Sequence, residues 1–531
     1  MPPDKPYPPL VEGLVNSLPQ QVPYPLGLVR VIETHISWVI LAGRHALKIK
    51  KPVNFGFLDF STLSRRKEAC EKELRINRRY SPDIYIEVIT ITGSAGNPTL
   101  DGDGAVMEYA VKMRRFPSNQ LFSQLATTGH LLPKHIIDLA LQVARFHNSL
   151  IPEPAPCAQP RLERAQDFIE ANFTSISTLI SNDSDRLPLA TLHAWTRHQR
   201  QALREPLLSR SSLGFIRECH GDLHLGNIVL LNGRPRLFDG IEFNDDLRWI
   251  DTMSEIAFTV MDLEEHGLPP LAYLFLNRYL ELTGDFLGVV LLDYYRLYRA
   301  MVRAKVATLQ LKQTTCATRR AQLAAGYHRY IGYGLRLIEK KTPHLVIMHG
   351  LSGSGKSYLA SQLATEMPAV RIRSDAERKR LFGENGNSAG IATGLYSREC
   401  TDLTYQKILD FAHRILSSGH SVILDATFLK HVHRRDAQQI AKVSGSEFFI
   451  LNCEAPIDLL SRRIRSRQQE DADLSDANES VLRLQLDSHE PLLASEQSHA
   501  LTLDMSHRQN IPEILSRLRN LQCDRVAALT P

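Results

Sequence analysis

Leu345-Val-Ile-Met-His-Gly350-Leu-Ser-Gly-Ser-Gly-Lys-Ser357 joins a short apolar run to the pattern Gly-x-x-x-x-Gly-Lys-Ser. The apolar run reads as a buried strand, and Lys356 to Glu366 reads as a helix. Between them, Gly350, Ser352, Gly353, Ser354 and Gly355 let the backbone curl. Several N–H groups and the helix N-terminus then face one point, which is what a chain of phosphates requires. Lys356 is placed to bridge the outer phosphates of a nucleotide, and the Ser357 hydroxyl to hold Mg²⁺. The bland alternative is a glycine-rich turn that binds nothing.

The surroundings favour a nucleotide site. After Ser357, strands and helices alternate: Ala369 to Ile372, Ser421 to Asp425, Glu447 to Asn452 and Ala500 to Asp504 are strand-like, and Pro512 to Leu521 is a last helix. This order predicts an α/β domain, an open parallel sheet with helices on both faces. Ser374-Asp375 follows one strand and Asp425 ends another, where ligands meet parallel sheets. One carboxylate is suited to accept a hydroxyl proton and the other to orient metal-bound water. The alternative for each is a helix cap. Ser461-Arg-Arg-Ile-Arg-Ser-Arg467 reads as a helix before the polar stretch 468–476, either an arginine-bearing flap or a solvated basic face.

Residues 345–531 resemble the small P-loop kinases related to gluconate kinase, polynucleotide 5′-kinase, chloramphenicol phosphotransferase and the zeta toxins. Arg373-Ser-Asp375 and Leu424-Asp-Ala-Thr427 carry the resemblance. They match these kinases better than motor or remodelling ATPases of the AAA type, whose arginine-finger box is not recognisable. The resemblance implies that Asp375 is the catalytic base and that Arg378 binds substrate or phosphate. Arg467 is then the lid arginine, and Asp425 joins Ser357 at the metal.

A second signature lies upstream. In His220-Gly-Asp222-Leu-His-Leu-Gly-Asn227 an aspartate and an asparagine are five apart, and Asp239 follows twelve residues later. Two short strands around Asn232-Gly233 would return Asp239 to the side of Asn227. Asp222 could then accept a hydroxyl proton while Asn227 and Asp239 hold Mg²⁺ on a triphosphate. The segment resembles the aminoglycoside phosphotransferase and choline kinase group, over about residues 25–330 and most closely over 219–262.

That resemblance implies an α+β, two-lobed protein kinase-like domain. It also requires a lysine on a small-lobe strand and a glutamate on the next helix. Ala46-Leu-Lys48 has the spacing that puts alanine and lysine on one strand face. Lys48 is the choice for the phosphates, with Lys50 as competitor, and Glu73 is its partner, with Glu71 as alternative. Asp251 resembles the aspartate that braces the catalytic loop, and His224 is either a phosphate contact or a structural hydrogen-bonder. No Gly-x-Gly-x-x-Gly precedes Lys48, so the first turn comes from Thr34-His-Ile-Ser37. The acidic pocket that binds amino sugars is not recognisable.

Composition sets the frame. The chain has 531 residues, 43% hydrophobic and 23% charged, with a net charge of +5, which demands neither nucleic acid nor an anionic membrane. Seven scattered cysteines without a Cys-x-x-Cys pair suit reduced thiols in a cytoplasm rather than a disulfide framework. No apolar run approaches the length of a membrane span. The expected organisation is a Pro-rich tail, extended or disordered (1–24), a kinase-like domain (25–340) and a P-loop domain (341–531). The expected function is ATP- and Mg²⁺-dependent transfer of a γ-phosphoryl group to the hydroxyl of a small molecule at two nucleotide sites. A regulatory switch with one non-catalytic site is the alternative, as is a polynucleotide 5′-hydroxyl kinase. The latter would want an aromatic-lined groove, and aromatics are sparse around Arg371, Arg373, Arg378, Lys379 and Arg380.

Overall fold

The structure is a computed structural model that describes residues 7–21, 27–54, 58–180, 183–383, 397–470 and 478–529, with side chains omitted for 467–470 and 522–529. The chain forms two compact units interleaved in sequence: residues 1–182, 200–262 and 301–323 in one, residues 183–199, 263–300 and 324–531 in the other. The division expected at 340/341 therefore does not coincide with the packing: residues 263–300 cluster with the P-loop unit.

The first unit is built on a six-stranded antiparallel sheet in the order Arg30–Glu33, Ser37–Ala42, His45–Lys50, Glu108–Arg114, Tyr85–Ser94, Asn97–Leu100. Thr34 closes the first turn, its hydroxyl accepting from Ser37 N at 2.9 Å. Strand alternation divides the two faces. Leu47 and Ile49 pack with Ile40, Ile89 and Ile91 on one side. Ala46 faces the other side, where Cys70 of the helix Leu63–Arg78 packs.

Residues 9–21 of the expected tail are not extended. Pro9–Gln21 is a helix, and Val11, Leu14 and Leu18, all fully buried, cover the aliphatic face of the sheet. Proline in the first turn has no intrahelical N–H to lose, and the apolar residues recur at helical spacing, so burial outweighs the proline content.

Helices follow the sheet, as expected for the α+β kinase-like class. Ile228–Leu231 and Arg234–Leu237 form the hairpin, with Asn232 and Gly233 both at positive φ (50° and 73°), the two-residue turn that matches strand twist.

The second unit carries a five-stranded parallel sheet in the order Ala369–Arg373, Ser421–Asp425, His344–His349, Glu447–Glu454, Ala500–Asp504. Helices Lys356–Glu366 and Ile511–Leu529 bury Leu359, Leu363, Ile514 and Leu518 against one face, and His431–Val443 packs on the strands of the other. This is the α/β P-loop arrangement read from the sequence. The helix Pro269–Thr283 lies along the edge strand. Asn277 Nδ2 donates to Ala369 O at 2.9 Å, and Arg371 N donates to Asn277 Oδ1 at 2.8 Å, so one side chain satisfies both a donor and an acceptor of the exposed edge.

Candidate active sites

In the kinase-like unit, Lys48 Nζ lies 2.8 Å from Glu73 Oε1 and also pairs with Asp239. Lys50 does not compete for that place. It lies 2.5 Å from the other oxygen of Glu73 and pairs with Glu242, wholly buried. Burial would raise the Glu73 carboxyl, but Lys48 and Lys50 outweigh it and hold it at about 2. Glu71 is exposed and pairs with Lys67. Glu242, three residues after Asp239, was not foreseen; burial pushes its carboxyl up although Lys50 opposes this.

The catalytic-loop residues converge as the spacing predicts. Phe238 N donates to Asn227 O at 3.0 Å, which returns Asp239 to the side of Asn227. Asn227 Nδ2 donates to Asp222 Oδ2 at 2.9 Å. Desolvation favours the neutral Asp222 carboxyl, but His224 at 3.5 Å and the Arg303 charge overcome it and hold the group well below the usual carboxylate range. His224 Nδ1 accepts from Gly226 N at 3.0 Å, so this histidine positions the loop. His220 Nε2 faces Phe238 O at 2.9 Å while its Nδ1 accepts from Asp222 N; burial lowers its pKa, consistent with that neutral tautomer.

The brace of this loop is one face of the helix Thr252–Glu265. Glu255 accepts from His220 N at 3.1 Å and Gly221 N at 2.6 Å, Thr259 donates to Leu223 O at 2.8 Å, and Asp262 accepts from Leu225 N at 2.8 Å. The i, i+4, i+7 spacing puts all three on one stripe. Asp251 instead holds Arg210 through both its oxygens, 2.9 Å and 2.6 Å, and accepts from Met253 N at the start of that helix.

In the second unit Gly350, Gly353 and Gly355 all have positive φ. At Gly350 a Cβ would lie 2.4 Å from Cys453 O, so the loop passes too close to the neighbouring strand for any side chain. Lys356 Nζ donates to Leu351 O at 2.7 Å. Ser357 Oγ donates to Asp425 Oδ1 at 3.0 Å, and Asp425 Oδ2 receives Arg371 Nη2 at 2.7 Å with Arg373 Nε at 3.7 Å. Asp375 Oδ1 lies 2.9 Å from Arg378 Nη1. Lys356, Ser357, Arg373, Asp375, Arg378 and Asp425 line a cleft of about 820 Å³ together with Ser352, Lys430 and Arg463. Arg467 falls on the helix Ile457–Glu470, but its side chain lies outside the described residues, as does most of the polar stretch after it. Arg463, from the same arginine run, reaches the loop, 3.4 Å from Gly353 O, and donates to Met505 O at 2.8 Å.

The residues fit Mg²⁺. Ser357 Oγ and Asp425 Oδ1 meet at the end of adjacent parallel strands in one unit, and the other offers the side-chain oxygens of Asn227 and Asp239, all oxygen donors. Among the described residues no helix is long and apolar enough to cross a membrane, and the described cysteines are free thiols.

A family model described as an AAA domain matches residues 345–492. Over 446 residues, 83% of this chain and 86% of the relative, the sequence is 31% identical to Uncharacterized protein Rv2004c of Mycobacterium tuberculosis (strain ATCC 25618 / H37Rv). The chain belongs to the family of that mycobacterial protein. The match is longer than either compact unit, so the family shares sequence from both. Among solved structures the chain is similar to choline kinase from Cryptosporidium parvum Iowa II, at 13% identity over 62% of this chain and 96% of that one, TM-score 0.38. It is also similar to a gluconokinase from Sinorhizobium meliloti 1021, at 18% identity over 36% and 100%, TM-score 0.26. At such values the assignment of both folds rests on strand order and site geometry.

Proposed function

We propose that this protein is a phosphotransferase with two nucleotide sites, one in each unit, each moving the γ-phosphoryl group of Mg-ATP to a hydroxyl of a small molecule. The observation that supports this reading is that each unit assembles a full set of phosphate-, metal- and proton-handling groups from separate segments of chain. Lys48 and Glu73 meet Asp239, Asn227 and Asp222 in one. Lys356, Ser357, Asp425 and Asp375 line one cleft in the other.

Asn227 with Asp239, and Ser357 with Asp425, are the residues to hold Mg²⁺, which neutralises the charge of the phosphates when bound. Lys48, fixed by Glu73, would position phosphate oxygens, as would Lys356 and the loop amides. Asp222 is ionised and oriented by Asn227, so it is ready to accept the proton of an acceptor hydroxyl. Asp375, held by Arg378, would do so in the second cleft. Arg467 keeps the lid role in this reading, and Arg463 of the same helix, which reaches the phosphate loop, would support it.

A small-molecule acceptor is favoured over a nucleic-acid end. The Tyr405 ring in the second cleft is already stacked on His433, centroids 3.9 Å apart, and is not offered as a platform for a base.

Titration calorimetry with a non-hydrolysable ATP analogue and Mg²⁺ tests the proposal. A stoichiometry near two is expected, and Lys356→Ala should remove one site and leave the other. A stoichiometry of one in the unaltered protein would leave a single site with a regulatory or vestigial partner.

A further inference from the structure

The turn that carries Asp239 has four successive backbone amides, and each has a partner. Buried backbone donors must find one, but here the partners come from two different places. Phe238 N donates to Asn227 O at 3.0 Å, and Ile241 N donates to His220 O at 3.0 Å. The outer two amides are thus held by the catalytic loop. The inner two are held by side chains. Asp239 N donates to Tyr85 Oη at 2.9 Å, and Gly240 N donates to Asn77 Oδ1 at 2.9 Å. Tyr85 opens the strand Tyr85–Ser94, and Asn77 lies in the last turn of the helix Leu63–Arg78. They stand 154 and 163 residues away in sequence from the amides they hold, so no local pattern calls for them.

The turn they hold is a constrained one. Asp239 has φ 62°, in the left-handed region, where a residue with a side chain stays only when its surroundings fix it. Gly240 has no room for a side chain: a Cβ would lie 2.1 Å from Tyr80 Oη and 3.3 Å from His220 O. Asn77 is wholly buried and Tyr85 is 1% exposed, so both holders are themselves fixed. The Asn77 amide has one possible orientation. Its Oδ1 accepts from Gly240 N and from Tyr80 Oη at 2.8 Å, and its Nδ2 donates to Glu73 O at 2.9 Å. By contrast the Asp239 side chain is 45% exposed and pairs with Lys48. The residue is gripped through its backbone while its carboxylate faces the opening.

The helix Leu63–Arg78 therefore has two holds on the site. Glu73 fixes Lys48 at 2.8 Å, and Asn77, one turn later on the same face, fixes the turn of Asp239. Groups behind a metal ligand set its aim, and their loss typically costs 10–100-fold in metal affinity.

We infer that Tyr85 and Asn77 are positioning residues for the Asp239 carboxylate, and that Asn77 ties the metal position to the helix that orients Lys48. The inference rests on the reading of this unit as a Mg-ATP site.

The test is calorimetry of the full chain with a non-hydrolysable ATP analogue at graded Mg²⁺ and without metal. Every protein carries Lys356→Ala, which disables the other cleft, and is compared with and without Tyr85→Phe or Asn77→Ala. Tyr85→Phe removes one oxygen and keeps the ring. Each variant should raise the Mg²⁺ needed for half-maximal binding about tenfold or more and leave metal-free binding unchanged, because Lys48 keeps Glu73. If Asn77→Ala does not fold, Tyr85→Phe alone decides. A purely structural role would lower the unfolding midpoint and leave the Mg²⁺ curve in place, and that result would overturn the inference. So would a loss of binding as large without metal as with it. Absence of all nucleotide binding in the Lys356→Ala protein would remove the site in this unit, and the inference with it. Binding that persists there with an unmoved Mg²⁺ curve would overturn the inference alone.

Discussion

Ser357 donates its hydroxyl to Asp425 at 3.0 Å. The two residues come from different crossovers of the sheet and meet because Ser357 follows the strand His344–His349 while Asp425 ends its parallel neighbour. Asp425 spends its second oxygen on Arg371, so one carboxylate joins the proposed metal position to the edge strand.

Asp425→Asn keeps the shape and removes the charge. Mg²⁺ required for half-maximal binding of an ATP analogue should rise about tenfold or more, while metal-free ATP binds as before. Calorimetry at graded Mg²⁺ reads this directly. An equal loss without metal would make Asp425 only an anchor for Arg371.

In the first unit Asp222→Asn should lower turnover by about 10²–10⁴-fold and spare binding, since asparagine can still meet Asn227. Asp239→Ala should weaken Mg-ATP binding itself and leave Lys48 held by Glu73 alone. Single-turnover rates alongside binding isotherms separate the two roles. Equal binding defects in both variants would contradict the assignment.

Glu255 sets a pH dependence of stability. Burial would raise its carboxyl, but His147, His220 and the Gly221 amide hold it at about 2, below the usual 4.5. A depressed carboxyl stabilises the fold above its unfolded value, and this stabilisation disappears as pH falls from about 4.5 toward 2, on the order of 3 kcal/mol. Glu73, also held at about 2, acts in the same window. Urea unfolding across that range should show the loss, and Glu255→Gln should remove part of its slope while slowing turnover through a misplaced catalytic loop.

Gly13→Ala should destabilise. Within a helix this change ordinarily stabilises by about 1 kcal/mol. Here a Cβ would stand 2.2 Å from Ala95 O and 2.9 Å from Pro98 Cδ, so the helix must retreat from the sheet. Denaturant titration gives the sign, and a stabilised variant would show that the helix has room to move.

Asn277→Ala removes the partner of a part-buried strand-edge donor and acceptor. A loss of about 1–3 kcal/mol is expected for the second unit, with weaker nucleotide binding because the edge strand carries Arg371 and Arg373. A fragment starting at residue 341 lacks this helix and should be less stable than the full chain by at least as much, read by hydrogen exchange at residues 369–373.

The motifs were legible because their chemistry is local. A phosphate loop must have glycines at fixed spacing, a two-residue hairpin must turn at residues such as Asn232-Gly233, and a strand of period two must place Ala46, Lys48 and Lys50 on one face. From these and the resemblances they carry, the sequence alone pointed to both fold classes and to Lys48 and Glu73 as first choices, while Lys50 and Glu71 stayed open until the fold paired Lys48 with Glu73 and left Glu71 exposed. It understated the first helix because proline content hid the spacing of Val11, Leu14 and Leu18.

Tertiary structure alone decided the partners that no spacing encodes. Glu242 is an ordinary acid until Lys50 is buried beside it. Glu255 braces a loop more than thirty residues away. Arg463 meets the phosphate loop only because its helix packs beside Gly353. Asn277 belongs by sequence to the kinase-like segment and by contact to the P-loop sheet. Tyr85 and Asn77 hold the turn of Asp239 only because the strand and helix that carry them pack beside it. Each depends on which surfaces exclude water together, and that is fixed by packing of the whole chain rather than by any short stretch of it.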